Sequence, residues 1–341
     1  MYPARTLWFL RAADARLAFA RDASSAFLSE SRLNLQKGFD AALGLELRAF
    51  HASGHGMLRS HLRFALLLTA VLLCACGNVM RRATNQFADN LTAAILNEDD
   101  PGTVHDGVPA YLLLIDGMIQ GDPENSDALL AGAKLYGAYA GGFVDTPERA
   151  QRLAGRAYDY AHRALCLRER DLCAGLDKPF DAYTVALEAS SPKNVATLYG
   201  FGAAWAGRIQ VNSGDWNAIA DLPKLQSLLL HVVSIDPRYD DGGAYLYLGV
   251  INSIRPASLG GKPEEGKGYF DKALELSAGK NQMVRVLYAQ FYARLVFDQA
   301  LHDKLLNEVL AADPHAPRLT LVNTLAKGKA RALLESGKDY F

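Results

Sequence analysis

Tyr245-Leu246-Tyr247-Leu248-Gly249 and Tyr269-Phe270-Asp271-Lys272-Ala273-Leu274 are the two stretches whose reading decides the fold. In the first, Tyr245, Leu248 and Gly249 fall at steps of three and four residues, the period of one helical face. In the second, Phe270 and Ala273 fall three apart. Glycine carries no Cβ, so Gly249 lets the two helices approach closely, and Ala273 does the same from the other side. The two helices therefore read as one hairpin. Its turn is lengthened by Arg255-Pro256-Ala257-Ser258-Leu259-Gly260-Gly261-Lys262-Pro263.

Working outward, the large–Leu–Gly spacing and the aromatic and small positions that follow match the two helices of a tetratricopeptide unit. Asp122-Pro123, Asp236-Pro237 and Asp313-Pro314 each end an apolar helix, at separations of 114 and 77 residues. Those are close to three and two multiples of about 38, the length of one helical hairpin in a stacked array. Proline removes a donor and biases the preceding residue away from the helix, which enforces each turn. Ala278-Gly279-Lys280-Asn281 supplies a further turn between the last two. Leu129–Tyr139 and Leu198–Gln210 are rich in Gly, Ala and aromatics but stray from the consensus. Leu225–Val233, Met283–Phe297 and Leu301–Leu310 repeat at helical steps, and short alternating runs are lacking. The expected fold is all-α, a degenerate tetratricopeptide-like helical-hairpin array, or α-solenoid, over residues 76–341.

At the front of the array Phe87, Leu91, Ala94 and Ile95 mark an amphipathic helix. Glu98-Asp99-Asp100-Pro101-Gly102 is expected to end it, with a loop through His105-Asp106-Gly107 and a new helix from Pro109. Four acidic groups beside one histidine fit no named cation loop and read as a polar turn.

Before the array lies Met57 to Cys76, MLRSHLRFALLLTAVLLCAC. Arg59 and Arg63 precede an apolar run too short to span a bilayer, which needs about 20 residues, and small residues close it. That is the layout of a secretory signal peptide over 57–75. Leu73-Cys74-Ala75-Cys76 looks like a bacterial lipobox, making Cys76 the expected site of lipid attachment. Translation is expected to start at Met57, with residues 1–56 an upstream extension; the alternative is a disordered or cytoplasmic arm. Gly77 lacks the aspartate associated with inner-membrane retention, so the outer membrane is favoured.

The chain has 341 residues, and its formal net charge is −1. Residues 1–75 hold nine basic and five acidic residues, so the remainder is acidic overall. No basic stripe offers the electrostatic footprint of a nucleic-acid binder. Two of the four cysteines, Cys74 and Cys76, fall in the leader. Cys166 and Cys173 would, after export, sit where disulfides persist. On an unbroken helix seven residues span about 10.5 Å, beyond the reach of a disulfide. A bridge requires the helix to end between them, and Arg168-Glu169-Arg170-Asp171 is the place for that; two separate thiols are the alternative.

Chemistry of the catalytic kind is not legible. His105, His162, His231, His302 and His315 are scattered, no Gly-x-Ser-x-Gly elbow or lysine-bearing phosphate loop occurs, and no carboxylate pair sits in an apolar setting. No enzyme, metal or cofactor is expected. The suggestive residues are aromatic and polar: Trp205, Arg208 and Gln210 on one helix, Tyr245 and Arg255 on another, Tyr288 on a third. Concave faces of helical arrays bind partners through such residues, and ligand clefts combine apolar walls with sparse polar groups. Core packing is the competing role for each aromatic. Arg208 and Arg255 are less at home in a core, because a buried guanidinium needs a partner.

These segments together resemble the T-component (TatT) family of tripartite ATP-independent periplasmic (TRAP) transporters. The carrying residues are Trp205-Ala206-Gly207-Arg208-Ile209-Gln210, Asp236-Pro237, Tyr245–Gly249, Leu259-Gly260-Gly261-Lys262-Pro263-Glu264 and Tyr269–Leu276. Tyr288-Ala289, Tyr292-Ala293, Leu306-Asn307-Glu308-Val309-Leu310 and Asp313-Pro314 follow in order, so that the resemblance covers most of 76–320. It implies an exported lipoprotein of helical hairpins in the periplasm that associates with the solute-binding P-component. It also implies a cleft or pore suited to a small organic ligand, and homo-oligomers including trimers. A general envelope scaffold for protein–protein interaction is the alternative function.

Overall fold

The computed structural model describes residues 86–341, apart from residue 88. The leader Met57–Cys76 and residues 1–56 lie outside the described residues. Those described up to 96 are helical. Thirteen α-helices follow, and no strand occurs among the described residues. They are α1 (Pro101–Gly121), α2 (Ser126–Phe143), α3 (Pro147–Arg168), α4 (Arg170–Gly175), α5 (Phe180–Glu188), α6 (Val195–Val211) and α7 (Trp216–Ala220). The chain continues through α8 (Leu222–Ile235), α9 (Gly243–Ser253), α10 (Pro263–Leu276), α11 (Gln282–Leu287), α12 (Gln299–Ala311) and α13 (Thr320–Tyr340). The helices pack in neighbouring pairs: α2 with α3, α3 with α6, α6 with α8, α9 with α10, and α12 with α13. The expected all-α hairpin array is the fold observed.

Local chemistry explains the boundaries. Asp122 and Asp236 are the C-caps of α1 and α8, and Asp313 comes just after Ala312, the C-cap of α12. The turn after α10 runs through Ala278 and Gly279, at φ 49° and 66°. Between Cys166 and Cys173 the helix does end: α3 stops at Arg168, and Glu169 caps it with φ −135°. This brings the two Cα atoms to 5.0 Å, and a disulfide joins them.

One boundary differs from expectation. Asp100-Pro101 starts a helix, and α1 runs through His105, Asp106 and Gly107 with Pro109 inside it. The reason is capping. The Asp100 carboxylate accepts hydrogen bonds from Gly102 N at 2.9 Å and Thr103 N at 3.1 Å, and Pro101 occupies the first turn, where its missing N–H costs nothing.

Two apolar clusters fill the interior. The larger links α1–α6, α8 and α9, with Leu129, Leu165, Phe201, Leu225 and Leu248 fully buried, and it also takes in Leu321 from α13. The second joins α10–α13 around Phe270, Val286, Leu306 and Ala326. Tyr245 packs against both. The α9–α10 hairpin shows the close approach foreseen for Gly249: a Cβ there would lie 2.8 Å from the ring of Phe270, which is fully buried.

That contact is testable. Gly268 lies mid-helix in α10, is exposed, and has nothing near its missing Cβ. Alanine normally favours a helix over glycine by about 1 kcal/mol. Gly268→Ala should therefore stabilise the protein slightly in urea titration. Gly249→Ala should destabilise it by about 1–2 kcal/mol, because overpacking outweighs the same helical gain.

Candidate functional site

The turn between α8 and α9 holds a residue arrangement unlike the other turns. Asp240 (φ 51°, ψ 45°) and Asp241 (φ 53°, ψ 34°) are both left-handed, and Gly242 follows at φ 81°. The left-handed helical region costs an L-residue roughly 1–2 kcal/mol, least for Asp and Asn, and such strain concentrates at functional positions. Here it turns Asp240 toward α6, where the Tyr199 hydroxyl donates to its Oδ2 at 2.7 Å. A Cβ at Gly243 would crowd the Tyr199 hydroxyl, so a larger residue there would displace the phenol.

Three phenol rings gather there. Tyr239 and Tyr247 meet Tyr199 edge-on, with centroids 5.2 Å and 6.3 Å away and interplanar angles of 62° and 65°. All three are half-buried, keeping some access to solvent. Burial pushes the Tyr199 phenol well above its usual value, helped by Tyr247 and by the Asp240 charge. Burial, then Asp240, pushes Tyr247 up to about 12. Tyr239 is raised by burial and Asp240, while Arg318 from the turn before α13 opposes the shift. Arg318 is itself left-handed, at φ 63°. Asp240 has no ion-pair partner among the described residues. The result is an aromatic, partly accessible face carrying neutral phenols and one carboxylate. Such a face can hold an organic ligand by ring contact and hydrogen bonding.

The residues singled out from sequence fall in several places. Trp205 is 2% exposed, and its indole N–H donates to Asp221 Oδ2 at 3.1 Å. Arg208 is exposed, and its guanidinium lies 4.3 Å from the centre of the Tyr158 ring, which also meets Trp205 edge-on. Gln210 is exposed near the end of α6. Tyr245 is half-buried and packs on Tyr269 at 6.1 Å. Arg255 is exposed in the long α9–α10 turn. Tyr288 is 3% exposed and stacks on Phe270 at 4.9 Å. Trp205 and Arg208 are thus brought together around Tyr158, and Tyr245 packs against the cluster that contains Tyr288.

Tyr239 and Asp240 were not legible as site residues. The signal that could have found them is Asp240-Asp241-Gly242-Gly243, a run of the residue types that best tolerate left-handed backbone, placed directly before an aromatic helix.

Among known proteins, the family model described as TRAP transporter T-component matches residues 97–341. This extends the similarity past 320 to the end of α13. The family is one of transporter components rather than of enzymes. A protein of Treponema pallidum (strain Nichols), described as an uncharacterized protein, is similar at 22% identity over 271 residues, 74% of this chain and 84% of that protein.

An alkaline titration tests the site. A phenol raised on folding adds stability that is complete below the unfolded value of about 10 and disappears as pH climbs through the folded value. Phenolate absorbance of the native protein should show tyrosines that stay neutral beyond pH 10. Stability should fall as pH rises from about 10 toward 12. Tyr247→Phe should flatten that fall, and Asp240→Asn should move the Tyr199 titration downward.

Proposed function

The chain belongs to the TRAP transporter T-component family, and on that footing we propose that it is a membrane-anchored periplasmic accessory lipoprotein of a TRAP-type solute uptake system. Membership implies association with TRAP transporter components and a place in the cell envelope. The finer reading is that the helical array binds the solute-binding P-component, and that the Tyr199–Tyr239–Tyr247 face takes a small organic ligand. Assembly of copies into an oligomer such as a trimer belongs to the same reading. The observation that carries it is the family match across 97–341, nearly the whole of the described array.

Anchoring is proposed through Cys76. The Leu73-Cys74-Ala75-Cys76 sequence after a basic and then apolar run supports acylation there. One acyl chain gives only marginal membrane binding, so a stable anchor needs more than one chain at this cysteine.

Native co-purification tests this function. A tagged chain extracted in mild detergent should recover a TRAP solute-binding protein. Cys76→Ala should shift the chain to the soluble fraction and still recover it. Recovery of no solute-binding protein with either form would contradict the proposal, whereas recovery of unrelated envelope proteins alone would favour the scaffold.

A further inference from the structure

At the α3–α4 junction three metal-ligating side chains converge that neither the array nor the tyrosine face uses. His162 and Cys166 lie one helical turn apart on α3, and Cys173 lies on α4 beyond the break at Glu169. Their ligand atoms all fall within 4.8 Å of one another. In the oxidised chain the sulfurs are bonded to each other, and His162 Nε2 sits 3.6 Å from Cys166 Sγ and 3.8 Å from Cys173 Sγ. We propose that reduction of this disulfide opens a Cys2His site, formed by His162, Cys166 and Cys173, for one zinc-like cation.

The geometry is close to what such an ion requires. Zinc binds sulfur at about 2.3 Å and imidazole nitrogen at about 2.0 Å in a tetrahedron. Those lengths separate a nitrogen and a sulfur ligand by about 3.5 Å and two sulfurs by about 3.8 Å. Both nitrogen–sulfur edges are therefore nearly in place in the oxidised chain. Only the two sulfurs have to part, and breaking their bond allows that. Aromatic neighbours hold the imidazole in position. Its ring lies parallel to Tyr158, at 5.9 Å and 7°, and against Phe201 at 6.2 Å. His162, Cys166 and Cys173 are each partly exposed, so the ion has a path in, and water fills the fourth position.

The chemistry balances with a dithiol as reductant. The dithiol passes two electrons and two protons to the protein disulfide, giving two thiols, and is itself oxidised to a disulfide. Zinc then displaces both thiol protons, so two protons leave for each ion bound, and His162 binds as neutral imidazole through Nε2. The short helix α4 is tied to α3 by a covalent bond in the oxidised chain and by the metal in the reduced one. The latch thus persists in both redox states.

The test uses the full chain carrying Cys74→Ala and Cys76→Ala, so that Cys166 and Cys173 are its sole thiols. Cobalt(II) is the probe, read by the thiolate-to-cobalt charge-transfer band, with zinc as competitor and helicity followed by circular dichroism. The oxidised protein should show no such band. The reduced protein should bind one equivalent, release it to zinc, and keep its helical signal. His162→Ala should weaken binding by at least about 100-fold, the upper end of the effect of losing even an outer-shell partner. Absence of the band at one equivalent, unchanged affinity in His162→Ala, or collapse of the helical signal on reduction would each overturn the site.

Discussion

The return of the last helix to the first is the contact that closes the array on itself. A stack of helical pairs buries each apolar face against its neighbour, which leaves an uncovered face at either end. Here α13 covers the front: Leu321 joins the cluster that holds Val104 and Tyr139, and Leu325 reaches Gly142 on α2. The turn before α13 is pinned to the residues before α1. Arg318 N donates to Asn97 Oδ1 at 2.5 Å, and His315 bridges Asp313 and Asp99 at 2.7 Å and 3.4 Å. Those carboxylates raise His315 above its usual value, so the bridge is fullest when the imidazole is protonated and fades as pH rises through that value. A fully buried amide fixes the register of α13. Asn323 accepts from Gln282 N at 2.9 Å and donates to the carbonyls of Lys280 and Pro314 at 3.0 Å each.

The turn that closes the array also brings a cation towards the candidate site. Arg318, whose backbone meets Asn97, is the cation that acts on Tyr239, and Tyr239 stands edge-on to Tyr199. The left-handed residues Asp240, Asp241 and Arg318 therefore lie where the middle and the end of the array approach one another. Packing elsewhere holds this strain in place, as a set of preorganised polar groups requires.

Much of the fold was legible because its signals are local. Asp-Pro pairs end helices by backbone chemistry, Gly249 announces a close neighbour, and the charged run at 168–171 marks the break that lets Cys166 meet Cys173. The boundary at Asp100-Pro101 was misleading because aspartate followed by proline serves equally as the end of one helix and the cap of the next. The π-helical turn Tyr288–Ala293 and the part played by α13 carry no comparable local mark. The candidate site was legible only in part. An aromatic residue looks the same whether it fills a core, as Trp205 and Tyr288 do, or faces a partly open surface, as Tyr199 does. What separates them is the partner, Asp221 and Phe270 in one case and a strained Asp240 in the other, and those partners are distant in sequence.

Hydrogen–deuterium exchange in a Leu321→Asp variant tests the central claim, that α13 closes the array onto its own beginning. The substitution places a charge in the seam with Val104 and Tyr139. The closure predicts faster exchange in α13 together with α1 and α2, while α6, α8 and the α9–α10 hairpin keep their protection. Faster exchange confined to α13, with α1 and α2 unchanged, would contradict it.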